Sequence, residues 1–275
     1  MNKLKPIDFS RLAPAKGTRM VVTGGCGGIG RDLVKVSLKL GLEVAVLDLP
    51  GSLKRHPVPK GVLGVPYDAN KKGDAEKAFA KVAKAWGAID SFVHLPGFMS
   101  RKSTIEDLPE ADWDETQNVN LRSAFIAVKS ALPLLRKAGG GTIVFAASGL
   151  ATMVERTTGP YSAAKAGLVA LAKGLAKENA PNIRVNSIAP AAVDTDFLRG
   201  GTGRGGDEPK AAKVDTSQVF KNMGMDEAMM LRSIPLGRIA VTEDVVGPIL
   251  FLAGDASRFM TGQTLYINGG RIMVP

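Results

Sequence analysis

The stretch RMVVTGGCGGIG, residues 19–30, does most to limit what this chain can fold into. A Val-rich run passes through a cluster of glycines straight into a helical pattern at 28–40. Gly24, Gly28 and Gly30 let the backbone turn tightly and approach a bound diphosphate. The helix that follows offers free N–H groups and the positive end of its dipole. Cys26 and Ile29 fill the positions between and are counted with the loop. A glycine cluster alone is often a plain tight turn. Here the next apolar run, EVAVLD, ends on Asp48, eighteen residues after Gly30. That is the spacing of a carboxylate that bonds an adenosine ribose, against a plain strand-end turn residue. Strand, loop and acid stand in the order of a dinucleotide site. A carboxylate accepts from ribose hydroxyls and repels a 2′-phosphate, so Asp48 points to NAD rather than NADP. Lys54 and Arg55, six and seven residues further on, are the groups that would suit the phosphate.

The rest of the chain repeats the alternation. Short Val- and Ile-rich runs at 19–24, 43–48, 62–68, 89–94, 141–147, 183–190 and 263–269 read as strands. Helical patterns lie at about 28–40, 72–86, 110–137, 160–179 and 242–253. This rhythm predicts a doubly wound α/β fold, with a mostly parallel seven-stranded sheet and helices on both faces. No linker or repeat divides the 275 residues, so residues 1–275 read as one domain. One segment, 191–233, breaks the rhythm. It is first Gly-rich (GGTGRGG), then Met-rich (NMGMDEAMM), and reads as a functional loop or lid.

Composition narrows the function. The net charge is +10, and residues 1–60 hold eleven Lys/Arg against four Asp/Glu. These charges are dispersed, with no basic run interleaved with aromatics, so a nucleic-acid partner is not expected. No apolar run approaches a membrane span, and the N-terminus has no apolar signal core; a cytoplasmic location is the expectation. A single cysteine, and two histidines (His56 and His94) without ligand neighbours, argue against a metal site. Cys26 has two readings: a small side chain at a crowded turn, or a thiol made reactive by a helix N-terminus.

The second half carries the chemistry. In GPYSAAKAG, residues 159–167, Tyr161 and Lys165 lie four apart, so a helix stacks them on one face among small residues. Ser148 ends the fifth strand thirteen residues before Tyr161, and Asn120 lies inside a helical pattern. With TGGCGGIG (23–30), Asp48, Asp68 after the third strand, Asn120, Ser148, YSAAK (161–165), IAPAAVDT (188–195) and FLAGDASRFMTGQTLYINGG (251–270), the sequence resembles the short-chain dehydrogenase/reductase family over nearly its whole length. The resemblance implies a Rossmann fold with strand order 3-2-1-4-5-6-7 and a homotetramer built on helices 110–137 and 160–179. It also implies hydride transfer between NAD and a secondary alcohol or ketone. In that scheme Tyr161 is the proton donor or acceptor, Lys165 lowers its pKa and bonds the nicotinamide ribose, Ser148 holds the substrate oxygen, and Asn120 fixes a water in a proton relay. Asp68, Gly97, Pro190, Val193 and Thr195 fall on family positions that hold the cofactor.

Some positions depart from the family pattern. His94-Leu95-Pro96-Gly97 stands where Asn-Asn-Ala-Gly is usual, which makes His94 a structural replacement and costs an N–H at Pro96. Ala191 follows Pro190 where glycine is usual, which implies no positive φ there. Met225, Met229 and Met230, with Phe98, Met99, Met153 and Val154, are expected to form an apolar substrate lining. Two rival readings are a 3-oxoacyl-carrier-protein reductase, which would use the basic surface to meet an acidic carrier, and a non-catalytic NAD-binding regulator.

Overall fold

The computed structural model describes residue 8 and residues 12–99, 103–198 and 226–273. Strands β1 (Arg19–Thr23), β2 (Glu43–Asp48), β3 (Leu63–Pro66), β4 (Ser91–His94), β5 (Gly141–Ala146), β6 (Ile183–Pro190) and β7 (Thr264–Ile267) form one sheet. All pairings are parallel, in the order β3-β2-β1-β4-β5-β6-β7. The helices between them are α1 (Gly28–Lys39), α2 (Pro50–Arg55), α3 (Asp74–Trp86), α4 (Glu110–Gln117), α5 (Ser123–Lys137), α6 (Gly159–Asn179), α7 (Glu227–Arg232) and α8 (Thr242–Ala253). The seven-stranded doubly wound fold expected from the alternation is the fold observed.

Side chains along each strand point alternately to the two faces, and in the inner strands both faces are buried, while the edge strands β3 and β7 are only partly so. On β1, Met20 and Val22 pack toward α1 and α8, while Val21 packs toward α3, α5 and α6. On β5, Ile143 and Phe145 take the α5–α6 side and Val144 the α1–α8 side. Burial on both faces explains why the strands read as continuous apolar runs instead of strict alternations.

The pattern over 110–137 is not one helix. α4 and α5 are joined by a five-residue π turn, Asn118–Arg122, which places Asn120 at a break in the regular ladder. Such turns cluster at functional positions. The short α2, capped by Pro50 at its start, carries no periodic signal and was not expected.

Arg184 on β6 ties the far end of the sheet together. Its guanidinium donates to the carbonyls of Leu252, Gly254, Ser257 and Met260, at 3.1, 2.8, 2.9 and 3.2 Å. These carbonyls leave the C-terminus of α8 and the turn before β7, so one side chain satisfies groups a helix end exposes. Replacing Arg184 by Met removes these four hydrogen bonds, while the Ser257 hydroxyl still serves Leu252 and Gly254 and the Asn186 amide still serves Met260. It is expected to lower stability by about 1–3 kcal/mol, read from the urea midpoint at unchanged slope.

Candidate functional site

The glycine loop is built by close packing. Gly24 has φ +74°, and a Cβ there would lie 3.1 Å from the Pro96 nitrogen. A Cβ on Gly30 would meet the Gly24 carbonyl at 2.5 Å, and one on Gly28 the Thr195 methyl at 2.7 Å. α1 then starts with no side-chain cap and no acidic residue in its first turn. Its free N–H groups open into a cleft of about 470 Å³, which Gly24, Cys26, Gly28, Ile29 and Gly30 all line. An uncapped helix N-terminus facing a cleft fits a diphosphate.

Asp48 does more than end β2. Its Oδ2 accepts from the Cys26 N–H at 2.8 Å and its Oδ1 from the Leu49 N–H at 2.8 Å. The carboxylate thereby fixes the loop while lining the cleft. Cys26 itself is buried beside this contact. Burial, then the Asp48 charge, pushes the thiol up to about 12, which favours the small packing side chain over the reactive thiol. Asp68 also lines the cleft and caps its own turn by accepting from the Asn70 N–H at 3.0 Å.

Ser148, Tyr161 and Lys165 meet at the cleft's other half. β5 delivers Ser148, and α6 delivers Tyr161 and Lys165 one turn apart. The Ser148 hydroxyl beside the Tyr161 phenol favours its ionised form, against the dominant effect of burial; the phenol is pushed up to about 12. The Lys165 ammonium lies 5.6 Å from the centre of the Tyr161 ring. It donates to the Ala146 carbonyl at 2.8 Å and the Pro96 carbonyl at 3.2 Å, and burial pushes it down to about 7. In the protein alone, burial of the phenol dominates, and only Ser148 pulls the other way.

Asn120 is fully buried and does not line the cleft. Its Nδ2 donates to the Phe98 carbonyl at 2.6 Å and the Thr116 carbonyl at 2.8 Å, and its Oδ1 accepts from the Phe98 N–H at 3.0 Å. Both amide hydrogens are therefore spent on backbone, and the side chain clamps the strand-end loop. A Cβ on Gly97 would sit 3.8 Å from Lys165 Nζ and 3.9 Å from Asn120 Oδ1, so the two groups flank the same glycine.

His94 is structural, as its place in the sequence suggests. Ser123 Oγ donates to the Val119 carbonyl at 2.5 Å, so it accepts from His94 Nε2–H at 3.2 Å. Nδ1 is then left to accept from the Thr23 hydroxyl at 2.8 Å. Burial and, secondarily, the Lys165 charge push the ring down to about 3, which keeps it neutral. Ala191 takes no positive φ. Gly97, Pro190, Val193 and Thr195 line the cleft at the ends of β4 and β6.

The expected apolar lining is partly present. Met99, Met153 and Met230 line the cleft; Phe98 does not, and Val154 and Met229 are more than half exposed. Met230 and Met229 therefore do not share a face, because the short α7 turns one in and the next out. Met225 and residues 199–225 of the expected lid lie outside the described residues. Sequence reasoning missed three side chains. Phe197 stacks 6.0 Å from the Tyr161 ring, and Arg271, paired with Glu155 at 3.0 Å, lines the substrate half. A basic residue directly after the terminal NGG was the available signal.

The Lys165 shift has a measurable consequence. Its folded pKa, about 7, lies below the 10.5 of the unfolded chain. Between these values the unfolded state binds one proton more, so stability rises with pH and is lost as pH falls through 7. In the ligand-free protein this group contributes a slope of up to about 1.4 kcal/mol per pH unit across that window. Lys165→Met is expected to abolish the slope, read from paired urea titrations between pH 6 and 10.

A family model described as enoyl-(acyl carrier protein) reductase matches residues 24–271. A 3-oxoacyl-(acyl-carrier-protein) reductase of Chlamydia pneumoniae is 33% identical over 262 residues, covering 92% of this chain and 96% of the relative. An NAD-dependent glycerol dehydrogenase of Listeria innocua is 32% identical, covering 91% of this chain and 92% of the relative. The crystal structure of a 3-ketoacyl-(acyl-carrier-protein) reductase from Brucella melitensis, complexed with NADH, shares the fold. It has a TM-score of 0.80 at 24% identity, with 94% of this chain and 99% of that one covered. The chain belongs to the short-chain dehydrogenase/reductase family of oxidoreductases.

Proposed function

We propose that the protein interconverts a secondary alcohol and a ketone with NAD as hydride carrier. The observation that carries this reading is the convergence of Ser148, Tyr161 and Lys165 in one cleft with the uncapped N-terminus of α1. The glycine loop and α1 would hold the diphosphate, Asp48 the adenosine ribose, and Val193 and Thr195 the nicotinamide end. The bound dinucleotide supplies the hydride acceptor or donor and, when oxidised, a positive charge beside the phenol. Ser148 donates to the substrate oxygen and orients it. Tyr161 takes a proton from that oxygen or returns one. Lys165, held by two carbonyls, supplies a cation along the Tyr161 ring, and Asn120 keeps the Phe98 loop in place. Burial alone raises the phenol, so the fall in its pKa has to come with the oxidised cofactor.

The walls at the substrate half include Leu150, Met153, Met230 and Ile272, which suits a mainly apolar or cyclic substrate. The NAD-dependent glycerol dehydrogenase among the relatives supports NAD and alcohol chemistry. A 3-oxoacyl-carrier-protein reductase is the second reading, supported by the relative at 33% identity; turnover of an acetoacetyl-pantetheine ester tests it. Assembly as a tetramer would bury the half-exposed Phe125 and the exposed edge of Trp113 on α5 and α4.

Two substitutions test the assignment. Tyr161→Phe is expected to lower kcat by about 10²–10⁴-fold, the usual worth of a positioned proton donor. NAD affinity, measured by calorimetry, should stay within about two-fold, because the phenol hydroxyl acts on the substrate. A variant with near wild-type turnover would remove Tyr161 from the mechanism.

Asp48→Ala is expected to weaken NAD binding by about ten-fold, the worth of one charge-assisted hydrogen bond, and to narrow the preference over NADP. The arrangement predicts that the wild-type protein prefers NAD in steady-state kinetics. A wild-type preference for NADP would assign the ribose site to Arg55, which also lines the cleft.

A further inference from the structure

Among the described residues, the cleft wall beside Ser148 carries a charged group that the reaction does not use. Arg271 lines the same cleft as Ser148 and Tyr161, in a wall that includes Leu150, Met153, Met230 and Ile272. Its side chain is only 9% exposed, and its Nη2 lies 3.0 Å from Glu155 Oε1. Both partners are held from behind. Asn268 donates to the Ile272 carbonyl at 2.7 Å and accepts from the Gly270 N–H at 2.9 Å, which folds the tail after β7 around Arg271. Ile272 packs against Gly149, next to Ser148; a Cβ on Gly149 would meet its Cδ1 at 2.9 Å. The Glu155 backbone is bonded by the Thr158 hydroxyl at 2.8 Å and the Thr158 N–H at 3.1 Å. Thr157, in the same turn, is the one non-glycine residue with positive φ among those described, at +66°. A strained turn and a folded tail thus present the pair at the wall of the active cleft.

Arg271 is nearly buried while Glu155 is a third exposed, and such a part-buried ion pair is weak evidence for stability. Its place in the cleft wall indicates a ligand. A guanidinium only donates hydrogen bonds. Its charge is cancelled by Glu155, so the wall offers donors without net charge. That combination favours a neutral oxygen over an anion, because a carboxylate arriving here would face the Glu155 carboxylate as well.

We propose that Arg271, oriented and neutralised by Glu155, is a specificity-determining residue. It reads a second, neutral oxygen on the substrate, so the preferred class is a diol or hydroxyketone on an apolar frame. This inference rests on the dehydrogenase reading and adds the substrate class to it.

The test is kcat/KM with NAD for three compounds on one frame: cyclohexanol, cyclohexane-1,2-diol and 2-hydroxycyclohexane-1-carboxylate. The wild-type protein is expected to prefer the diol. In Arg271→Met the diol-to-cyclohexanol ratio should fall about ten-fold, with the loss mainly in KM. Arg271→Lys keeps the charge but not the fork and should fall between the two. Glu155→Gln leaves Arg271 uncompensated and should raise the carboxylate-to-diol ratio about ten-fold, a change that general loosening of the loop would not give. Thermal melts of each variant identify any that fail to fold, and the remaining two then decide. Equal losses on all three compounds, or a wild-type preference for the carboxylate or cyclohexanol, would overturn the proposal while leaving the dehydrogenase reading intact. No turnover of any of the three, with turnover of the acyl-pantetheine ester, would overturn the proposal and assign the same ketone–alcohol chemistry to a 3-oxoacyl thioester, the second reading.

Discussion

A buried ammonium holds the active half of this molecule together. Lys165 reaches from α6 to the carbonyls of Ala146 and Pro96, which leave the ends of β5 and the loop after β4. A cation in the interior requires such partners, because leaving it unpaired costs several kcal/mol. The two carbonyls therefore fix how α6 lies on the sheet. Small residues permit the approach: a Cβ on Gly167 would meet Leu121 at 2.8 Å, so α6 packs tightly against the π turn that carries Asn120. Once α6 is so placed, Tyr161 stands one turn away beside Ser148, and the catalytic group follows from the packing.

The sheet divides the labour. Strand order reverses between β1 and β4, and such a reversal opens a crevice at the carboxyl ends of the strands. On one side β1 and β2 contribute the glycine loop and Asp48, joined to each other by the Cys26–Asp48 hydrogen bond. On the other side β5, β6 and α6 contribute the reactive groups and Thr195, whose methyl abuts Gly28. That contact joins the halves directly. Gly28 is needed there because Thr195 occupies the space a side chain would take.

Most of this was legible in the sequence because it depends on local rules. Parallel strands buried on both faces appear as apolar runs, and the glycines, Asp48 and the Tyr161–Lys165 spacing are set by short-range geometry. What could not be read depends on distant chain segments. Arg271 and Glu155 lie 116 residues apart and meet only because the tail after β7 folds over the loop after β5. The division of Met229 from Met230 depends on where one turn of α7 packs. Asn120 was legible as a buried polar residue in an awkward place, but not that its amide is spent on Phe98 and Thr116. The direction of the Tyr161 shift was also invisible, since burial and charge act oppositely on a phenol and only coordinates show which dominates.

The altered loop after β4 shows which of its features the fold requires. Where the family resemblance implies asparagine side chains, this chain has His94, Leu95 and Pro96, and His94 and Pro96 each bond to the fold around them. His94 bridges β1 to α5 through one fixed tautomer, so it joins Thr23 to Ser123 as a two-ended polar side chain must. Lys165 needs a carbonyl, which any residue supplies, and Pro96 supplies it. Proline's missing N–H is no loss at a position where only the oxygen is used. Gly97 lies where Phe197, Lys165 and Asn120 meet: a Cβ there would sit 3.6, 3.8 and 3.9 Å from them, at ordinary contact distances. The loop can accept different side chains because backbone atoms and interchangeable polar ends do the work there: a carbonyl for Lys165 and a two-ended polar group between Thr23 and Ser123.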